Sequence, residues 1–185
     1  MLDYFYWERG NAMNDNRIIN SKRIRQYMGL FFALAAYYLI HEGAHMCYAL
    51  FLGVFQKLRF LGLGVQVDVY HETMSSVQLG IFCLAGPGAS LAAGFLLVFF
   101  SKTICRAKSR LFKAGMYYMT LTMLLLDPLY LSILYPLFGG GDMNGIRLLI
   151  PEAFARLIFG CLFLANVCLL RKKIIPQYQK AFKDW

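Results

Sequence analysis

Four stretches of the sequence are each long and apolar enough to cross a lipid bilayer, and they constrain the fold more than any other feature. They cover residues 27–52, 76–100, 114–138 and 152–170. About 20 mostly apolar residues are needed to cross the hydrocarbon layer, which is roughly 30 Å thick. An ordinary soluble domain is excluded because 59% of the residues are hydrophobic and only 16% are charged. We therefore expect an all-α membrane protein with about four transmembrane helices.

Basic residues are distributed unevenly among the segments that connect these stretches. Each of the segments 1–26, 101–113 and 171–185 carries five lysine or arginine residues. The other side carries only four, which are Lys57, Arg59, Arg147 and Arg156. Because cytoplasmic loops are rich in lysine and arginine, this alternation predicts a multi-pass cell-membrane protein with both termini in the cytoplasm. The net charge of +9 then belongs to these loops, and we expect no nucleic-acid partner.

Composition divides the chain into three parts. Residues 1–26 are polar and basic, and the aromatic residues at positions 4–7 suit a segment that lies on the membrane surface. Residues 27–170 form the transmembrane core. Residues 171–185 form a basic tail that we expect in the cytoplasm.

The connection after the first span has the pattern of a β-strand. Between Leu61 and Tyr70, apolar residues alternate with glycine and polar residues. A period of two with β-branched residues is typical of a strand. A single strand cannot leave its edge unpaired in lipid, so we expect a small β-hairpin or a re-entrant segment in a protected cavity.

The first span contains an HExxH pattern, His41–Glu42–Gly43–Ala44–His45. Residues four apart share one face of a helix, so both imidazoles can bind one metal ion. Glu42 can then act as the general base toward a water molecule at that metal. Ionisable groups at membrane depth each cost about 2.5 kcal/mol or more, which favours a functional role over a polar packing cluster. We predict one Zn²⁺ per chain.

A hydrolytic zinc site takes three protein ligands, so one more must come from elsewhere in the chain. The candidates are Asp142, Asp127 and the loop residue His71. We favour Asp142 because the glycines at 139–141 allow the backbone to approach a metal closely. Asp127 is the second choice, and it could instead orient a histidine from outside the ligand set. We interpret His71 as a solvated loop residue.

Two segments are candidates for contact with a substrate. The second span contains Ala85–Gly86–Pro87–Gly88–Ala89–Ser90, whose small residues and helix breaker suit the wall of a cavity. The predicted strand could hold an extended substrate by adding it as a further strand. The candidate contact residues are Leu63, Val65, Val67, Gly86, Pro87 and Ser90.

Together these motifs resemble the site-2 protease family of intramembrane zinc metalloproteases. HEGAH in an early span is followed by GLGVQVDV, then by AGPGAS and later by GGGDMNG, so the likeness covers about 27–150. The resemblance implies His41, His45 and Asp142 as zinc ligands and Glu42 as the catalytic base. It implies hydrolysis of a peptide bond in or near a transmembrane segment of a membrane-bound substrate, the chemistry of regulated intramembrane proteolysis. It also implies a cytosolic loop after HExxH, opposite to the orientation that the basic residues predict.

Two other classes of protein are compatible with the same cluster. A membrane zinc carrier or sensor uses the ligands without hydrolysis and needs no general base, and a non-catalytic scaffold needs no metal. Replacing Glu42 distinguishes a protease from a carrier, and replacing His41 distinguishes either from a scaffold. In every case the lipid bilayer is a partner, and a regulatory membrane protein is a further candidate partner.

Overall fold

The structure is a computed structural model that describes the backbone of residues 2–62, 64–139 and 141–183, and the side chains of these residues except 2–21, 61 and 138. It is mostly helical. The helices are α1 (Leu2–Phe51), α2 (Ser76–Cys105), α3 (Arg110–Leu129), α4 (Tyr135–Phe138), α5 (Gly141–Ile146), α6 (Glu152–Leu169) and α7 (Ile175–Lys183). The strands β1 (Phe55–Leu61) and β2 (Gly64–Val69) lie between α1 and α2. Short π-helical turns, Tyr130–Leu134 and Leu170–Ile174, join α3 to α4 and α6 to α7.

Three of the described helical segments are long and apolar enough to cross a membrane. They are Ser76–Cys105, Arg110–Leu137 and Glu152–Lys183. These segments contain most of the second, third and fourth predicted spans, and the last continues beyond its predicted end at residue 170. All but the last residue of the first predicted span lies in α1, where the polar HEGAH motif lowers the mean hydropathy. The mainly helical fold is therefore confirmed, and three helices are long and apolar enough to span a membrane, whereas the count of four spans stays a prediction.

The long helices alternate in direction. α1 packs against α2 and α3, and α3 also packs against α6. Lys22 of α1, Arg110 of α3 and Lys183 of α7 line one cavity at one end of the bundle. Farther along the same helices, the Tyr37 hydroxyl meets the Asp127 carboxylate. α1 and α3 therefore run in the same direction, and the three basic segments meet at one end of the bundle.

Pro128 interrupts the hydrogen-bond ladder of α3, and α6 compensates for the break. Proline has no N–H to donate to the carbonyl group four residues earlier, which belongs to Leu124. Asn166 Nδ2 donates to that Leu124 carbonyl at 2.7 Å, and Arg156 Nε donates to the Ser132 carbonyl in the following π-helical turn at 3.1 Å. Because these side chains satisfy the backbone groups, the broken helix can stay buried among its neighbours.

The hairpin expected after the first span is confirmed. β1 and β2 are antiparallel, with Leu58 opposite Val67 and Phe60 opposite Val65. Gly62 in the turn has φ of 60°, a left-handed conformation that favours glycine. The predicted strand corresponds to β2. Its partner β1 has no alternating pattern, so the sequence did not indicate it.

Candidate metal centre

The two histidines of the HExxH pattern lie side by side in the protein interior. His41 and His45 share one face of α1 and are 7% and 3% exposed. Their rings are in edge-on contact, with centroids 4.9 Å apart, and the His45 ring also lies against Phe82 of α2. Packing against α2 therefore fixes the direction in which both imidazoles point.

The imidazole Nε2 atoms and the Asp142 carboxylate converge on one point. The two Nε2 atoms are 3.3 Å apart. Asp142 Oδ2 lies 3.2 Å from His41 Nε2, and Asp142 Oδ1 lies 3.4 Å from His45 Nε2. Helix α5, which carries Asp142, packs against α2 and brings the carboxylate to the histidines.

Hydrogen bonds on the far side of each ring define the proton positions. His45 Nδ1 lies 2.7 Å from the Phe82 carbonyl oxygen, which can only accept, so this nitrogen carries the proton. His41 Nδ1 lies 3.3 Å from Asp127 Oδ1 and 3.3 Å from Ser90 Oγ. The Ser90 hydroxyl already donates to the Gly86 carbonyl at 3.0 Å, so its oxygen accepts from His41. With Nδ1 donating on the far side, an imidazole in its neutral form presents the lone pair of Nε2 toward Asp142.

This arrangement fits a divalent cation. Lone pairs and carboxylate oxygens at these separations repel one another unless a proton or a metal cation lies between them. In a tetrahedral zinc site with bonds of about 2.0–2.1 Å, neighbouring ligand atoms are about 3.3–3.4 Å apart. His41, His45 and Asp142 therefore form a group that could hold a metal ion. The identity of the ion as zinc stays a prediction.

Asp127 lies on the opposite side of the His41 ring from Asp142. It is 2% exposed, and its Oδ1 faces His41 Nδ1. The Tyr37 hydroxyl donates to the same oxygen at 2.5 Å. Asp127 is thus placed to orient His41 rather than to join the converging group. Tyr37 was not recognised from the sequence, although its position four residues before His41 puts it on the same helix face.

Glu42 connects the histidine helix to the hairpin. Its Oε2 accepts a hydrogen bond of 3.1 Å from the backbone N–H of Val67 in β2. A cavity of about 540 Å³ is lined by Glu42, His45, Asp142, Val65 and Val67, among other residues. This cavity is therefore shared by the predicted base, by two residues of the candidate metal group and by strand β2.

The small residues of α2 that were predicted to form a cavity wall lie directly against the histidines. Gly86 is buried, and a Cβ atom at this position would lie 2.7 Å from His41 Nε2 and closer still to His45 Nε2. Pro87 and Ser90 are also buried in α2. Gly86 and Ser90 thus contact the imidazoles, and their predicted contact with a substrate stays a prediction.

Two other predicted residues lie apart from this group. His71 is exposed in the turn His71–Thr73 and lines the same cavity, but it is not part of the converging group. Leu63, predicted to contact a substrate, lies outside the described residues.

The close approach of Gly86 leads to a prediction about metal binding. Gly86→Ala is expected to lower zinc affinity by at least about tenfold, because the new methyl group displaces both imidazoles from their shared point. The matched control is Gly88→Ala on the same helix, where a Cβ meets nothing within 4 Å. Zinc titration of the two purified variants checks this. Equal affinities would contradict the geometry described for the histidines.

No protein-family model, curated protein or solved structure matches this chain. The fold and the site together define a helical protein with membrane-length helices. It contains two buried histidines and a partly buried aspartate that could hold a metal ion.

Proposed function

We propose that the chain is an intramembrane zinc metalloprotease, similar to the site-2 protease family, that hydrolyses a peptide bond in or near a transmembrane segment of its substrate. The proposal is carried by one observation, the convergence of His41, His45 and Asp142 beside Glu42. Zinc bound by such residues acts as a Lewis acid and makes water nucleophilic near neutral pH.

Glu42 supplies the proton transfer in this proposal. Its carboxylate lines the cavity beside His45 and Asp142, within reach of a water molecule in that space. It accepts a proton from the attacking water and afterwards delivers the proton to the amine that leaves. The Val67 amide fixes one carboxylate oxygen at 3.1 Å, which leaves the other oxygen for the proton.

Helix α1 serves as the fourth membrane crossing in this account. Several of its large apolar side chains point away from the bundle, among them Tyr27, Phe31, Leu39 and Phe51, which are 72%, 64%, 76% and 83% exposed. Exposure of this kind is favourable in lipid and unfavourable in water. The basic segments meet at the opposite end of the bundle from the hairpin, which supports cytoplasmic termini under the positive-inside rule.

The free edge of β2 supplies a docking place for an unwound substrate. Backbone groups of successive residues in a strand point to opposite edges. Since the N–H of Val67 points to Glu42 and away from β1, the N–H of Val65 also points to the free edge. Val65 and Val67 both line the cavity, so a substrate strand that pairs with the N–H of Val65 passes beside Glu42, which already accepts from Val67.

The strand model predicts the effect of removing one backbone donor. Val65→Pro is expected to lower peptide cleavage by at least about tenfold, since a proline at this edge position removes an N–H that pairs with substrate but none that pairs with β1. Val65→Ala keeps the N–H and is the control, with near-normal cleavage expected. Cleavage of a transmembrane peptide in liposomes measures both. Full activity of a folded Val65→Pro variant would argue against strand addition.

The proposed activity itself is tested with the purified full chain in liposomes that contain a model transmembrane peptide. Cleavage is expected with zinc, is expected to stop when a chelator removes the metal, and is expected to return when zinc is restored. A chain that is loaded with zinc but leaves a panel of such peptides intact would contradict the proposal.

A further inference from the structure

A second cavity lies at the other end of the bundle from the candidate metal centre. It has a volume of about 680 Å³ and is lined by parts of α1, α3 and α7. Four of its lining residues are cationic, namely Lys22, Arg25, Arg110 and Lys183. None of its described lining residues is acidic. This basic pocket is independent of the proposed protease function.

We propose that the basic pocket binds the phosphate group of an anionic phospholipid. Lysine and arginine form strong charge-assisted hydrogen bonds to phosphate oxygens. The four cationic residues come from three different helices and line one cavity, so several of them can donate to the same phosphate group. Basic pockets between membrane helices on the cytoplasmic side bind lipid headgroups in this way.

The position of the pocket along the helices suits a membrane surface. Lys22 precedes His41 by 19 residues on α1, and Arg110 precedes Asp127 by 17 residues on α3. At about 1.5 Å per residue, these separations correspond to roughly 25–28 Å. The hydrocarbon layer is roughly 30 Å thick, so a metal centre near one side of the membrane puts the pocket near the headgroups of the other leaflet.

Besides the cations, the pocket is lined by aromatic and apolar residues and by the amides of Gln26 and Gln179. Tyr117, Tyr118, Tyr178 and Phe182 line it beside the cations. Tyrosine side chains are frequent at the level of lipid headgroups, where one end of the ring is apolar and the other polar. A phosphate esterified to a lipid satisfies both parts of the lining, whereas free phosphate satisfies only the cations. This favours the lipid over a soluble anion.

Lys113 of α3 contacts α7 next to the pocket. It is 0% exposed, and its Nζ donates to the Ala181 carbonyl oxygen at 2.8 Å. The same Nζ lies 5.6 Å from the ring centroid of Phe182, within the range of a cation–π contact. Lys113 therefore links α3 to α7 beside the pocket.

The test is a titration of the purified full chain in neutral detergent, followed by native mass spectrometry. The ligands are phosphatidylglycerol, phosphatidylcholine and inorganic phosphate. The pocket variant combines Lys22→Gln, Arg110→Gln and Lys183→Gln. The control variant combines Lys102→Gln, Lys108→Gln and Lys172→Gln, three exposed residues with the same loss of charge that do not line the pocket.

The wild-type chain is expected to bind phosphatidylglycerol with a much higher affinity than phosphatidylcholine. The pocket variant is expected to lose at least about tenfold in affinity for phosphatidylglycerol, and the control variant less than about threefold. The single variants Lys22→Gln and Lys183→Gln, each at an exposed position, are expected to lose intermediate amounts, which keeps the test valid if the triple variant does not fold.

Three results would overturn the proposal. Equal losses in the pocket and control variants would assign binding to diffuse surface charge. Equal binding of phosphatidylcholine would assign it to the apolar lining alone. If inorganic phosphate binds as tightly as phosphatidylglycerol and displaces it, the pocket takes a soluble anion rather than a lipid.

Discussion

Glu42→Gln is expected to lower peptide cleavage by at least about a hundredfold while the purified chain keeps its zinc. The amide of glutamine cannot accept a proton as the carboxylate does, so the reaction loses its general base. Its oxygen can still accept the hydrogen bond from the Val67 N–H, which preserves the contact between α1 and the hairpin. Cleavage of a transmembrane peptide and zinc content are measured on the same preparation.

The control for this variant is Glu72→Gln, which makes the same chemical change at an exposed turn. Its cleavage rate is expected to equal that of the wild-type chain. A zinc carrier or sensor would respond to neither change, because it needs no general base. If Glu42→Gln cleaves as fast as the wild type, hydrolysis does not depend on this carboxylate and the proposed mechanism is wrong.

Asp142→Ala is expected to abolish stoichiometric zinc binding, whereas Asp127→Ala is expected to retain zinc with roughly 10–100-fold weaker affinity. Asp142 faces both Nε2 atoms, at 3.2 and 3.4 Å. Asp127 faces only the protonated Nδ1 of His41 and receives the Tyr37 hydroxyl. Removing Asp142 therefore removes a ligand, while removing Asp127 loosens the orientation of one ring.

Zinc titration of the two variants, checked for folding by thermal unfolding, measures this difference. Their chemical change is identical, so each serves as the control for the other. If Asp127→Ala loses all zinc while Asp142→Ala keeps it, the roles that we assign to the two carboxylates are reversed.

The sequence was most informative where local spacing determines geometry. The four-residue separation of His41 and His45 puts both on one helix face, and their rings lie in contact. The alternation before Tyr70 indicated β2 because side chains of a strand alternate between its faces. Apolar length indicated the long helices for an equally local reason.

Contacts between distant segments could not be predicted from the sequence. Tyr37 and Asp127 are 90 residues apart, and only the packing of α1 on α3 joins them. The sequence likewise gave no sign that Val67 would hold Glu42, since that contact depends on how the hairpin folds back on α1. The close approach of Gly86 to the imidazoles is a third such contact, which small residues in α2 allow but do not specify.

The choice between Asp127 and Asp142 shows the same limit. Both are aspartates beside a helix-breaking residue, and sequence alone leaves either one available as a ligand. In the structure the two aspartates contact different nitrogens of the His41 ring. Asp127 lies at Nδ1 and Asp142 lies at Nε2. Which nitrogen a carboxylate meets depends on the relative placement of three helices.

The most direct measurement is the zinc content of the purified, folded wild-type chain after incubation with zinc and removal of excess metal, with X-ray absorption used to identify the ligands. We expect one zinc per chain with two imidazole ligands, and less than about a tenth of that amount in His41→Ala and His45→Ala. A folded chain that retains no zinc, or retains it equally in both histidine variants, would contradict the metal centre on which the whole account rests.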